Sequence, residues 1–515
     1  MRIRAISLFV VALTAFSSVA IAQVPRRTHP PAQSEAGTAP AEAHQAAPHT
    51  DPTVRREPFD RTLFGPDPVY PVGAYDPVEE TATYGGKRAV PTPRPLLELG
   101  YPLYDEGPIG AGHDIVGAKN LVRPQFLVYG DLRTALAYND TGGAEKGQVA
   151  ARLNLEVDLK LTATERLHAF FRPLDNNARF TRDEFFGDDA QGGELILDGA
   201  LETLFFEGDI GAIQSGLTDR YARYDLPIAF GQLPLFYQNG IWFDDAVVGV
   251  AFAVPARNSP KLDISNFDVS VFAGFSDVET TALRKAGGVL DEHGADVYGA
   301  VLFADAREGH LELGYGYLDD TRPNGNASYH SLALGWSRRY GGWLSNSVRL
   351  IANIGQDPDG GAIQSADGAV FLLENSLVTS KPSTLVPYAN FFLGLDRPQP
   401  LARGNDGVLK NTGINFETDG LTGFPKLTDT AQDAWGGAVG VSYLFDLSRQ
   451  VVAEIATVQL LRGKSDTIVG EEVALGARYQ QNLSPAWLAR FDAMYGFRSN
   501  ADDIRGVRAE LRRKF

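Results

Sequence analysis

The chain has 515 residues, no cysteine, and 64 acidic against 47 basic side chains, for a formal net charge of −17. That balance argues against nucleic-acid binding, which wants a basic face, and the missing thiols exclude a disulfide-stapled scaffold. Past the N-terminus no run of eighteen apolar residues occurs, so no membrane-spanning helix is expected.

Arg2 and Arg4 precede the apolar run Ala5 to Phe16, and Ala20-Ile21-Ala22 supplies a small-x-small site before Gln23. Residues 1–22 therefore read as a secretory signal peptide. Residues 23–60 are rich in Pro, Ala, His and Thr, cannot bury a core, and read as a disordered linker. Residues 61–120 keep the prolines but gain Phe64, Tyr70, Tyr75, Tyr84, Tyr101 and Tyr104. They read as an extended periplasmic arm that docks on the remainder of the chain, with a small independent domain as the alternative.

From residue 121 the pattern is all β. Between Val149 and Leu161 every second residue is apolar, and the residues between them carry both signs of charge. Such strict alternation makes an extended strand with one apolar and one polar face. A soluble sandwich and a membrane strand with lipid outside and a wet lumen inside both satisfy it. Strands are predicted at 124–139, 148–162, 165–173, 197–208, 211–220, 242–256, 266–277, 295–305, 309–319, 328–340, 344–356, 369–380, 385–397, 435–446, 450–461, 471–482, 485–498 and 504–515. That gives an antiparallel barrel of eighteen strands, with sixteen as the alternative.

The connections sort by parity. Short ones pass through Ala163-Thr164, Gly208-Asp209, Gly341-Gly342 and Leu483-Ser484-Pro485; long ones include 174–196, 221–241, 278–294, 357–368 and 398–434. Outer-membrane barrels have short periplasmic turns and long outer loops, whereas a sandwich has no reason to sort its loops. Apolar stripes such as Trp487, Ala489, Phe491, Ala493, Tyr495 and Phe497 put aromatics near strand ends, as an interfacial girdle requires.

The last strand carries a resemblance. Val507, Ala509, Leu511 and Phe515 alternate up to a terminal phenylalanine. This resembles the C-terminal signal of bacterial outer-membrane proteins, which implies Phe515 as the assembly signal and outer-membrane lipid and the barrel-assembly machinery as partners. Arg513 departs from the pattern, though an interfacial arginine can snorkel. A second stretch, Phe230-Gly-Gln-Leu-Pro-Leu-Phe-Tyr-Gln-Asn-Gly240 followed by Trp242-Phe-Asp-Asp245, looks like the alginate-export family of outer-membrane porins. That resemblance implies passive passage of an anionic sugar polymer through an arginine-lined pore; a general or substrate-selective porin is the broader reading.

Period-2 counting points Arg133, Arg152, Arg478, Arg490 and Arg508 inward on five contiguous strands, with Arg349 further round. They are expected to line the pore and favour anions, unless Asp131, Glu156, Asp158, Asp492 and Glu510 neutralise them. The loop 221–241 is too apolar for solvent and is expected to fold into the lumen as a constriction, presenting Phe230, Phe236, Tyr237, Asp244 and Asp245. The rival class is a barrel-borne hydrolase, which needs Ser and His together near a rim. His168, His293, His310 and His330 show no such partner, and no HExxH, phosphate-loop or nucleophile-elbow motif is present. Asp291-Glu292-His293 and the turn Gln356-Asp357-Pro358-Asp359-Gly360 are weak candidates for a cation, and neither completes a known ligand set. No cofactor, metal or enzymatic activity is expected.

Overall fold

The computed structural model describes residues 93–101, 112–176, 179–187, 190–283, 291, 293–323, 325–358, 364–404, 406–417, 420–446, 448–463, 465, 468 and 470–515. The expected signal peptide, the linker, most of the arm, Glu292 and Asp359-Gly360 lie outside these residues.

Along the chain come β1 (Leu97–Gly100), β2 (Gln125–Asp140), β3 (Glu145–Lys160), β4 (Arg166–Phe171), β5 (Asp175–Asn176), β6 (Arg179–Phe186), β7 (Gly192–Glu194) and β8 (Leu201–Asp209). The helix α1 (Ile210–Thr218) follows, then β9 (Pro227–Tyr237), β10 (Phe243–Ser259), β11 (Ile264–Ser276), β12 (Ala295–Ala306), β13 (Gly309–Asp320) and β14 (Tyr329–Tyr340). The series ends with β15 (Leu344–Ile354), β16 (Asp367–Leu377), β17 (Leu385–Arg397), β18 (Ala434–Asp446), β19 (Arg449–Leu460), β20 (Glu472–Asn482), β21 (Trp487–Arg498) and β22 (Ile504–Lys514).

Neighbours pair antiparallel throughout, and β22 returns to β2 from Asp131↔Lys514 to Asp140↔Arg505. The result is a closed antiparallel barrel of eighteen wall strands. Interruptions explain why more than eighteen segments occur. β4 and β6 pair with successive halves of β3, so together they form the third wall strand. β8 pairs with β4 and β7 with β6, forming the fourth.

One predicted strand is misplaced. Residues 211–220 are not β but lie largely in α1. Ile210, Ile213 and Leu217 recur at helical spacing, Asp209 caps the N-terminus by accepting from the Ala212 amide at 2.7 Å, and Asp219 closes it in the left-handed region. The fifth wall strand is β9, inside the stretch expected to be a constriction loop. Its apolar content is that of a strand with lipid on one side and packed lumen on the other.

The wall is inverted relative to a soluble protein. Large apolar side chains stand exposed on its outer face: Leu136, Leu334, Val439, Ile455, Phe491 and Val507 are each more than two-fifths accessible. Polar groups such as Arg133, Asn154, Ser331 and Glu454 are buried inside. Leu313, Leu334 and Leu350 meet in register across three strands of this belt. Leu334→Arg should therefore cost about 2–4 kcal/mol of folding free energy, the usual penalty for a cation near the bilayer midplane; urea titration of the barrel folded in lipid vesicles measures it.

Both termini of the wall lie at one end, the periplasmic end in barrels of this kind. There β1 extends the ladder of β2 from Leu97↔Val128 to Gly100↔Gln125. Asn120 donates to Glu165 at 2.7 Å, and Gly117 sits so close to the Gly216 carbonyl that any Cβ would collide. Phe515 completes the last strand by exchanging two backbone hydrogen bonds with Gly130, at 2.8 and 3.0 Å. Arg513 is exposed and its guanidinium lies 5.6 Å from the Trp487 ring centre, so its aliphatic stem stays on an apolar surface.

Candidate functional site

The lumen is filled from the outer end. The connection between β17 and β18, residues 398–433, folds inward and crosses from wall to wall. The Leu401 amide donates to the Trp242 carbonyl at 2.7 Å, and Tyr329 Oη donates to the Leu401 carbonyl at 3.1 Å. On the far side, Thr422 offers its carbonyl to Asn139 on β2 at 2.5 Å and to Gln148 on β3 at 2.6 Å. Asn415 donates to Glu454 on β19 at 2.9 Å. Apolar residues of this loop, among them Leu401, Leu409, Phe416 and Leu427, pack with Trp242, Phe243, Val278 and Leu318 as one buried cluster. Wall glycines make room: a Cβ on Gly316 would meet Leu401 at 2.1 Å, and one on Gly506 would meet Pro425 at 2.6 Å.

The loop that folds into the lumen is thus this one; most of 221–241, expected as a constriction loop, is the wall strand β9. Phe230 lies on β9, is half exposed on the outer face, and packs as a tilted ring pair with the cross-strand Phe206, centroids 5.1 Å apart. Phe236 is on the same strand, beside Gly240. Tyr237 closes β9 facing inward, 5.4 Å from Phe272 in a stacked pair. Asp244 and Asp245 lie at the start of β10, and Asp244 reaches the plug. Asp244 is buried 3.9 Å from both Arg403 and Lys410 of the loop. Asp245 accepts from the Glu279 amide at 2.7 Å.

All six expected arginines lie buried or nearly so on the inner side, each against a carboxylate. Arg133 grips Glu510 through two bonds of 2.8 and 2.6 Å. Arg152 donates to Asp175 at 2.9 Å and covers the Phe180 ring. Arg349 pairs with Glu374. Arg508, Arg478 and Arg490 converge on Asp492, at 2.7, 2.7 and 2.8 Å. Arg478 and Arg490 also reach Glu417 of the plugging loop, at 2.7 and 3.4 Å. Glu417 had no place among the expected site residues. Burial opposes its charge, and the two guanidiniums beside it overcome that, holding its carboxyl below the ordinary range.

The histidines are dispersed. His168 sits between Glu156 at 2.6 Å and Asp158 at 3.4 Å. His310 meets Asp305 at 2.5 Å, and His330 bonds Tyr315 at 2.9 Å. His293 has Ser276 at 3.1 Å and Asp277 at 3.4 Å, but both face the same Nδ1. A triad needs the serine on one ring nitrogen and the acid on the other. Among the described residues no group of three or more His, Asp or Glu is placed to hold a metal ion.

A closed wall, a lipid-facing belt and an inward-folded loop define the architecture of a porin-type transmembrane β-barrel. The fold is similar to that of the outer-membrane protein OpdK from Pseudomonas aeruginosa, with a TM-score of 0.50 and 12% identity over 76% of this chain and 98% of that one. OccK5 (OpdH) of the same organism gives 0.49 and 12% over 76% and 98%; OccAB4 of Acinetobacter baumannii gives 0.49 and 10% over the same shares. At such identity the OpdK likeness is one of fold. The sequence matches no protein-family model and no curated protein, which leaves the resemblance to the alginate-export family without support from that side.

Proposed function

We propose that the protein is a porin that passes small hydrophilic solutes across the outer membrane by passive diffusion, anions and saccharides among them. The observation that carries this reading is the loop 398–433, seated across a charged lumen between Thr422 on one wall and Leu401 on the other. An inward-folded loop narrows a wide barrel to solute dimensions without closing the wall. Of the six arginines, Arg478 and Arg490 are the ones offered to solute, because their second carboxylate belongs to the loop and not to the wall. Arg133, Arg152, Arg349 and Arg508 pair with wall residues or with Asp175 and serve the lumen mainly by shaping it. Phe515 serves as the assembly signal. Purified full-length protein in planar bilayers should give stepwise openings, and vesicles carrying it should swell with monosaccharides and small organic acids. A folded barrel that produces neither result would overturn the proposal.

A further inference from the structure

The outer half of the lumen is occupied by the loop, but the periplasmic half holds a cavity of about 360 Å³ between β8 and β13. Its body is apolar and aromatic: Phe205, Leu233, Leu235, Tyr237 and Phe303 project into it. Its polar rim is acidic, formed by Glu207, Asp268, Asp305 and Glu312, with His310 as the one basic side chain of the lining. We propose that this cavity binds a small amphiphilic cation, a single ring or short alkyl body carrying one ammonium group.

Three of the four carboxylates are already engaged. Glu207 is paired with Arg166, Asp305 holds His310 at 2.5 Å, and Asp268 accepts from the Ala256 amide. Glu312 is different. Its Oε2 is buried and receives no hydrogen bond; Arg349 and His310 lie near enough to attract its charge, but Arg349 pairs with Glu374 and His310 with Asp305. A buried carboxylate oxygen without a donor is costly, and an ammonium carries three donors for it. Glu312 lies opposite Phe303 across the β12–β13 ladder, so the charge anchor and the ring platform share one patch of wall. An ammonium held there also faces aromatic rings, which attract cations. An anion would meet the Glu312 carboxylate without a donor of its own to offer it and is disfavoured; a sugar satisfies Oε2 but leaves the apolar body of the cavity uncovered.

Binding is read in detergent micelles, without transport, so its failure is separable from failure of the porin reading. Phenethylammonium chloride titrated into the full-length protein by calorimetry should bind saturably. Phenylacetate and 2-phenylethanol, which keep the ring but change the charge, should bind about tenfold more weakly or not at all, the factor expected for losing one charge-assisted hydrogen bond. Glu312→Gln, with folding checked by heat-modifiable gel mobility, should weaken phenethylammonium by about the same factor. Equal binding of phenylacetate, or an unchanged affinity in a folded Glu312→Gln barrel, would overturn the proposal. If that variant does not fold, the comparison of the three probes on the native protein decides alone.

Discussion

Replacing residues 404–430 with a short Gly-Ser link should raise single-channel conductance severalfold while the barrel stays folded. The wall does not depend on this loop, because the ladder closes through β17–β18 pairing from Leu385↔Tyr443 to Gly394↔Ala434. The lumen does. The loop bridges β2 and β3 on one side to the tip of β10 and to β14 on the other, through Thr422, Leu401 and Tyr329. It is also stiffened from within: Lys410 meets Asp406 at 2.9 Å, Lys426 meets Asp429 at 2.6 Å, and Arg403 donates to the Gly407 carbonyl at 2.7 Å. A segment this well tied stays in the pathway on the timescale of ion passage. Bilayer recordings of the shortened protein measure the effect. Conductance equal to that of the full chain would place the pathway away from the loop.

The wall was legible in the sequence because its physics is local. A strand alternates with period two whatever lies across from it, so residues 149–161 announce β3, and the stripe from Trp487 to Phe497 announces β21. Sorting of loops by length then follows from the membrane. The errors have equally local causes. Residues 210–218 carry no continuous period-two stripe; Ile210, Ile213 and Leu217 fall at helical spacing and the Asp209 cap starts the helix. An apolar loop does have to be buried, but residues 221–241 owe their apolar content to a strand. Residues 398–434 are the apolar loop, and Leu401, Leu409, Phe416, Leu421, Phe424 and Leu427 are all buried in the plug. Asp492 and Glu510 could be named from the sequence as inward carboxylates able to neutralise the arginines, but which arginine each one meets was beyond reach. Arg133 and Glu510 are separated by almost the whole wall in sequence and meet only because the barrel closes. Glu417 meets Arg478 and Arg490 only because its loop folds back over them.

Glu417→Gln should shift the zero-current potential toward chloride under a potassium chloride gradient. Three guanidiniums, Arg478, Arg490 and Arg508, share Asp492 on the wall, and Glu417 is the second carboxylate among them. It is ionised at neutral pH, since the two arginines it touches hold its pKa low against the cost of burial. Removing that charge leaves three cations facing one anion on the proposed solute path. A unit charge at about 4 Å in water-like surroundings is worth about 1 kcal/mol, so the chloride-to-potassium permeability ratio should rise roughly fivefold. Glutamine keeps the shape and can still accept one hydrogen bond, so the loop should remain seated and conductance should change less than selectivity. Arg490→Ala should move the potential the opposite way. Arg133→Ala makes the contrast: that pair is sealed, with both side chains at most 3% exposed. Breaking it leaves Glu510 buried without its hydrogen-bonded partner, at a cost of about 3–5 kcal/mol in stability, with selectivity unaltered in whatever barrel survives. A selectivity shift from Arg133→Ala, with none from Glu417→Gln, would put the solute path along the wall pair and not under the loop.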